Sequence, residues 1–390
     1  MKISLAMSGG GFRATVYHLG MLARLARENH LEDVTLLSTV SGGSLCAGLI
    51  YSLNGVQWPG SDVYLKQVEP EARRLLTTFD MQGALIWRVF GTFWTLLETR
   101  ASVLSALLQK HWNMTARLKD LPPEPRWMIN TTCYETGKNW RFERFRYGDY
   151  LFGYSSDTDL PLSDAVAASA GFPGLIGTLE FKTGGRNWFR YEDRSDPFVL
   201  NAGQAEEAGW KKVPMTELKY SHVHLWDGGV YDNNGLEGIH DFKNGWSNRF
   251  GFLIVSDASG GSEEESFQKG IPALMRLATG IMMKQVRALR TRSILERLTN
   301  HGDQDQGVFL QMGNSCSRIL KSANHADWIP LFAGGSMSEE DVHLAATTPT
   351  VIRKLSPEEY ERLYHHGYEV ADATLCAYYP QVFKHIPYSS

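Results

Sequence analysis

Three short stretches carry residue types that can do chemistry. "LLSTVSGGSLCAG" (Leu36–Gly48) is an apolar run that stops at Ser41 and meets two glycines at once. "SGGGFRA" (Ser8–Ala14) follows another apolar run and opens a helical pattern. "LWDGGVYDNN" (Leu225–Asn234) ends a third apolar run at Asp227, again at a glycine turn. A serine lifted out of a sheet on a sharp strand-to-helix turn sits as an activated nucleophile does. The backbone N–H groups of Gly9, Gly10 and Gly11 open a helix and suit an anion. Beside Ser41 they would form an oxyanion hole. A serine hydroxyl also needs a base. Asp227, partly desolvated at a strand end, suits that task because burial raises a carboxylate's pKa.

Each residue has other readings. Gly9, Gly11 and Ala14 also fit the dinucleotide pattern G-x-G-x-x-A of a nucleotide-binding oxidoreductase. That pattern demands an acidic residue at the end of the second strand, where this chain has Ser41. Plain turn geometry would account for the glycines, a helix cap for Ser41 and a turn cap for Asp227. The elbow pattern G-x-S-x-G has glycine where this chain has Thr39. Ser44 competes for the nucleophile's role, with Gly42 two before it but Cys46 two after. A Ser-His-Asp esterase remains open, since His365 and His366 follow Asp227 in chain order. Both lie in a charged C-terminal helical stretch, where histidines are expected at the surface. His18 and His224 are nearer the loops, and His18 is suited to packing or hydrogen bonding.

The elements that must position these residues alternate strand and helix. Ile3 to Met7 and Val34 to Val40 read as buried strands. Val16, Leu19, Leu22, Ala23 and Ala26 recur at helical spacing between them, and Ser44 to Leu53 reads as the next helix. This order predicts an α/β fold: a three-layer α/β/α sandwich on a mainly parallel sheet with a nucleophile elbow. "WMINTTCYETGKNWRF" predicts a hairpin turning at Glu135–Lys138. A single domain over 1–390 is expected, with a helical, aromatic-rich insertion at about 56–122 and a helical extension after about 262. Ile86, Phe90, Phe93, Trp94 and Leu97, with Trp87, form a stripe that either packs into the core or meets a lipid surface. The helix from about Leu274 to Leu298 carries Arg276, Lys284, Arg287, Arg290, Arg292 and Arg297 against Glu296. It reads as a solvated face or as a binder of anionic headgroups.

Composition narrows the classes. The 390 residues are 43% hydrophobic and 21% charged, with net charge −4, which implies neither a nucleic-acid partner nor an acidic tail. Cys46, Cys133, Cys316 and Cys376 show no metal-ligand spacing and suit reduced thiols in a cytoplasmic protein. The N-terminal apolar patch is too short for a signal peptide's core. No apolar run reaches the ~18 residues of a membrane span.

Taken together the motifs resemble the patatin-like phospholipases and their relatives, the cytosolic phospholipases. "SGGGFRA" is similar to the cytosolic phospholipase form of the oxyanion loop, "VSGGS" to the elbow, and "WDGGVYDNN" to the Asp-Gly-Gly motif. "INTTCYETGKNWRF" and "AASAGFPGL" are similar to the family's mid-chain segments, and the five keep family order over about residues 3 to 260. The resemblance implies a Ser-Asp dyad without histidine, with Ser41 the nucleophile, Asp227 the base and Gly9, Gly10 and Gly11 the oxyanion hole. It places Arg13 on the substrate phosphate. It implies a lipid acyl hydrolase of the phospholipase A or lysophospholipase type, acting on a phospholipid or other lipid ester. No metal or cofactor is implied. The enzyme is expected in the cytoplasm, recruited to a membrane surface. A non-catalytic lipid-binding protein on the same fold is the remaining alternative.

Overall fold

In the computed structural model, residues 1–91, 100–173, 176–192, 211–240, 245–246, 250–261, 266–267, 269–300 and 305–389 are described. The alternation of strand side chains decides the layers. In β1 (Ile3–Met7), Ile3, Leu5 and Met7 enter one apolar core and Ala6 the other. In β2 (Val34–Val40), Leu37 joins the first and Leu36 the second. Both cores therefore press on one sheet, and helices cover each face.

The sheet continues with β3 (Arg126–Cys133), β4 (Lys138–Phe142), β5 (Tyr147–Asp149), β6 (Gly153–Ser155), β7 (Leu179–Lys182), β8 (Trp188–Tyr191), β9 (Lys212–Pro214), β10 (His222–Asp227), β11 (Phe252–Asp257) and β12 (Gly307–Gln311). The spatial order is β12-β11-β1-β2-β3-β4-β5-β6-β8-β9, with β10 and β7 branching from β3. Strands β12 through β3 are parallel neighbours, and the wing beyond β3 is antiparallel. The hairpin β3–β4 turns where the sequence predicts it. The segment after 262 is not only helical, because β12 pairs in parallel with β11.

Helix α1 (Gly11–Ala26) is buried along its whole length between the sheet and the C-terminal helix Pro357–Tyr378. Helix α2 (Gly42–Leu53) packs beside it. The crossing of α1 with the last helix is very close. A methyl at Gly20 would overlap the Tyr364 carbonyl, and one at Gly367 would overlap the Tyr17 carbonyl. On the other face, Ile294 of the helix Met283–Asn300 seals the smaller core.

The expected surface position of His366 is corrected here. It is fully buried under α1, where its Nε2 accepts the Gly313 N–H at 2.9 Å. Burial drives its pKa down to about 3, so the ring is neutral. Of the aromatic stripe, Phe93, Trp94, Leu97 and the side chain of Phe90 lie outside the described residues, while Ile86 and Trp87 are exposed.

Candidate active site

Ser41 and Asp227 meet because two strands share one edge of β3. Strand β2 pairs with Arg126–Asn130 of β3 in parallel. Strand β10 then takes over, pairing with Thr131–Cys133 in the opposite direction. The carboxyl ends of β2 and β10 thus face each other head-on, so the residues that end them converge. Along β10, Val223, Leu225 and Asp227 are buried, while His222, His224 and Trp226 turn to the other face.

Ser41 joins β2 to α2 with φ 50° and ψ −113°, a backbone conformation that L side chains rarely adopt. Such strain costs about 1–3 kcal/mol and persists only where surroundings enforce it. Here the Ser41 N–H donates to Ser169 Oγ at 3.0 Å. Glycine must follow the serine, since a methyl at Gly42 would run into the Gly11 carbonyl.

Ser169 is the end of a hydroxyl chain. It donates to the Asn130 carbonyl at 2.7 Å and pairs with Ser44 Oγ at 2.8 Å. Ser44 pairs with Thr39 Oγ1 at 2.7 Å, which accepts the Trp127 indole N–H at 2.9 Å. A hydroxyl has one proton, so the direction is fixed: Trp127 to Thr39 to Ser44 to Ser169 to Asn130. Thr39 therefore has a task that glycine cannot fill. Ser44 is wholly buried with its hydroxyl engaged on both sides, so that of these two serines it is Ser41 that faces the cleft.

Asp227 is almost wholly buried. Its Oδ1 accepts the Gly229 N–H at 2.7 Å. Its Oδ2 has no partner in hydrogen-bonding geometry among the described residues. Desolvation raises its pKa to about 7, opposed by the Gly229 N–H and the neighbouring Ser41 hydroxyl. The group is thus a carboxyl that exchanges its proton near neutrality, with one oxygen uncommitted beside a serine.

The glycine loop divides its donors. The Gly9 N–H is taken by the Asn233 carbonyl at 3.2 Å. Those of Gly10 and Gly11 donate to no group among the described residues. The Phe12 N–H at the start of α1 goes to the Val351 carbonyl at 2.8 Å, so backbone fills the place where a dinucleotide phosphate would sit.

Arg13 lines the same cleft. Its Nε donates to the Ala258 carbonyl at 3.3 Å and its Nη1 to the Thr348 carbonyl at 2.6 Å. Nη2 has no hydrogen-bond partner among the described residues, so one prong of the guanidinium is open, not two. Burial lowers its pKa to about 10, which still leaves it charged at neutral pH.

The cleft encloses about 230 Å³. Gly9, Gly10, Arg13, Ser41 and Asp227 line it together with Phe172, Asn233, Met283, Lys284 and Arg287. A larger cavity of about 540 Å³ lies between Glu135 and Val213–Tyr220 and holds no serine–carboxylate pair.

No histidine lines the cleft among the described residues. His18 Nε2–H donates to the Ser8 carbonyl at 2.9 Å, so its Nδ1 accepts from the Ser256 hydroxyl at 2.9 Å. Burial lowers its pKa to about 4, and it braces the start of the glycine loop as a neutral ring. His224 is held by Glu135 at 2.6 Å on the outer face of β10, and His365 by the Gly335 carbonyl at 2.8 Å. Sequence reasoning missed Asn130, Ser169 and Asn233 as supports. All three lie within stretches quoted above, but their roles arise from contacts far apart in the chain.

The patatin-like phospholipase family model matches residues 5–239. The chain belongs to the patatin-like phospholipase family. Among solved structures it is similar to human GIVD cytosolic phospholipase A2, at 14% identity and a TM-score of 0.54, covering 98% of this chain and 59% of that one. It is also similar to the same human enzyme in complex with methyl gamma-linolenyl fluorophosphonate, at 12% identity and a TM-score of 0.50, covering 98% and 58%. The chain thus spans under two thirds of the structures it matches, and at this identity the likeness speaks for the fold. No curated protein matches it. Among the described residues, no helix is long and apolar enough to cross a membrane.

Proposed function

We propose that this patatin-like protein is a lipid acyl hydrolase that cleaves carboxylic esters through a Ser41–Asp227 dyad. Ser41 Oγ attacks the ester carbonyl carbon as Asp227 Oδ2 accepts its proton. The Gly10 and Gly11 N–H groups hold the oxyanion, with Gly9 fixing the loop, and each such donor is worth roughly 3 kcal/mol. Collapse breaks the carbon–oxygen bond, and the leaving alcohol takes the proton back from Asp227. Water then attacks the acyl-enzyme with Asp227 again as base, releasing the fatty acid and restoring Ser41. No step calls for a cofactor.

The observation that carries this reading is the buried Asp227 oxygen without a partner, beside a serine held in a strained turn. Arg13 and Lys284 at the same cleft favour an ester next to a phosphate, hence a phospholipid or lysophospholipid. The reading puts the protein in the cytoplasm, working at a membrane surface. Reaction with a fluorophosphonate probe tests it. Labelling that maps to Ser41, together with ester turnover, is expected. Absence of both would leave a lipid-binding protein on a hydrolase fold.

A further inference from the structure

The helical segment that forms one wall of the cleft is built inside out. It runs through Ile271–Met275, a π-helical turn Arg276–Met282 and Met283–Asn300. Three of its arginines turn inward. Arg287 Nη2 meets Asp257 at 2.8 Å, Arg290 meets Glu237 at 2.8 Å, and Arg297 Nε meets Asp305 at 2.5 Å. From Ile271 to Leu289 its exposed apolar residues recur at spacings of three and four, while Ile294 beyond them packs into the smaller core. Ile271 is 77% exposed, Leu274 66% and Leu289 60%, with Leu277, Ile281 and Met282 also exposed between them. A surface helix of a water-soluble protein does the reverse. Contiguous exposed apolar surface of this kind marks a binding face.

Two observations say what covers it. First, Thr279, Met283, Lys284 and Arg287 of this same segment line the cleft that holds Ser41. The segment that carries the face is therefore also a wall of the cleft. Second, the cleft's ~230 Å³ falls below the usual range of enclosed ligand sites. It accommodates an ester and its polar neighbours, and a long acyl chain must extend past its mouth. The opposite rim fits this arrangement. Thr350 lines the cleft, and Ile352, two residues on, exchanges two hydrogen bonds with Gln82 at the start of the helix Met81–Gly91. Farther along that helix Trp87 is 79% exposed.

We propose that the outward face from Ile271 to Leu289 docks on the surface of an aggregated lipid phase, with the cleft opening onto it. Apolar side chains enter the acyl boundary, and the exposed Lys284 and Arg292 lie at headgroup level, where anionic lipid strengthens the contact. This inference rests on the proposed lipid acyl hydrolysis for the identity of the partner. Its test does not depend on catalysis.

The test compares the wild-type chain, Ser41→Ala and the double variant Leu274→Asp/Leu289→Asp. Each is sedimented with phosphatidylcholine vesicles, with and without phosphatidylglycerol. Each is also assayed on vesicle phospholipid and on a water-soluble short-chain ester, and sized by light scattering. Wild type and Ser41→Ala are expected to bind alike, and more tightly with phosphatidylglycerol. The double variant should lose about tenfold or more in vesicle partition, from lost apolar contact and added charge. Vesicle-lipid turnover should fall in step, and short-ester turnover should stay at the wild-type rate, which also shows that the variant folds. Vesicle binding that is absent in wild type, or unchanged in the double variant, would overturn the proposal. So would a wild-type dimer that the double variant splits, which assigns the face to a second copy. Binding without ester turnover would refute the hydrolase reading and leave the docking face standing.

Discussion

Asp227 and Asp257 end strands β10 and β11, and both are buried at the sheet edge near the cleft. Their surroundings differ in one respect. Asp257 Oδ2 takes the Arg287 guanidinium through Nε at 2.9 Å and Nη2 at 2.8 Å, while Oδ1 accepts the Ser259 N–H at 3.0 Å. Among the described residues, Asp227 has one N–H on Oδ1, no cation, and an open Oδ2. Depth alone does not make a carboxylate into a base. What distinguishes Asp227 is the missing counter-charge, so that desolvation outweighs the two hydrogen bonds opposing it and the proton exchanges near pH 7. The same burial with an arginine gives a structural tie.

The strongest way to break this contrast is Asp227→Asn. Ester turnover should fall by orders of magnitude, as for Ser41→Ala, since the proton has no acceptor. Stability should move the other way. The folded pKa of Asp227, about 7, lies above the value of about 3.9 expected in the unfolded chain. The native state therefore holds a proton that the unfolded state releases, and this group's contribution to stability falls as pH rises through that window. The amide escapes the loss, so thermal midpoints measured at about pH 5 and about pH 8 should show Asp227→Asn gaining on wild type at the higher pH. In wild type, kcat/KM should rise with pH along a limb centred near 7. A flat profile would remove Asp227 as the base.

Asp257→Asn should do the reverse. Leaving the Arg287 charge partly buried without its counter-charge costs about 3–5 kcal/mol of stability. Turnover per folded molecule should stay within an order of magnitude of wild type. If Asp257→Asn is instead stable and inactive, the two aspartates have been assigned the wrong way round.

A smaller effect sharpens the other half of the pair, the serine. Ser169→Ala removes the acceptor for the strained Ser41 N–H and the donor to Asn130, with about 1–3 kcal/mol lost for the groups left unpaired. We expect kcat to drop by about ten- to a hundredfold, since misplacement of a reacting group by about 1 Å has effects of this size. Thr39→Val should act in the same direction, and Thr39→Ser should recover most of the loss. Unchanged kcat and thermal midpoint in Ser169→Ala would mean that the hydroxyl chain does not hold the turn.

Arg13→Ala should give the smallest change, read as a ratio. Phospholipid turnover relative to a short simple ester should drop about tenfold, the size of one charge-assisted hydrogen bond. Because only Nη2 is open, Arg13→Lys should restore part of the ratio despite losing the fork. An equal loss on both substrates would make Arg13 a brace of the loop alone.

Much of this was legible in the sequence where the signal is local. An apolar run ending at a serine and two glycines marks a strand, a turn and a helix start, and the structure has all three at Val34–Leu53. Asp227 was legible as a strand end. That β10 runs head-on into β2 was not, because strand direction on β3 is set by pairing between residues some 90 positions apart. Ser169 carried no mark beyond its small side chain. The basic helix misled for a physical reason. Arginine on a helix reads as solvent-facing, but its partners Asp257, Glu237 and Asp305 lie elsewhere in the chain. His366 misled similarly, since the charges of the Pro357–Tyr378 helix hide the face that α1 covers.

The close crossing of α1 with that last helix also bears on when the protein becomes competent. The glycine loop, Ser41 and Asp227 all precede residue 228, yet α1, which begins at the glycine loop, is enclosed only when Pro357–Tyr378 lies against it. A nascent chain that has just emerged through β10 holds every residue of the proposed dyad and still leaves one side of α1 bare. Its β1 also waits for β11. Assembly of the site is thus a late event in synthesis. An unfinished chain therefore carries the groups of the proposed dyad without the framework that positions them.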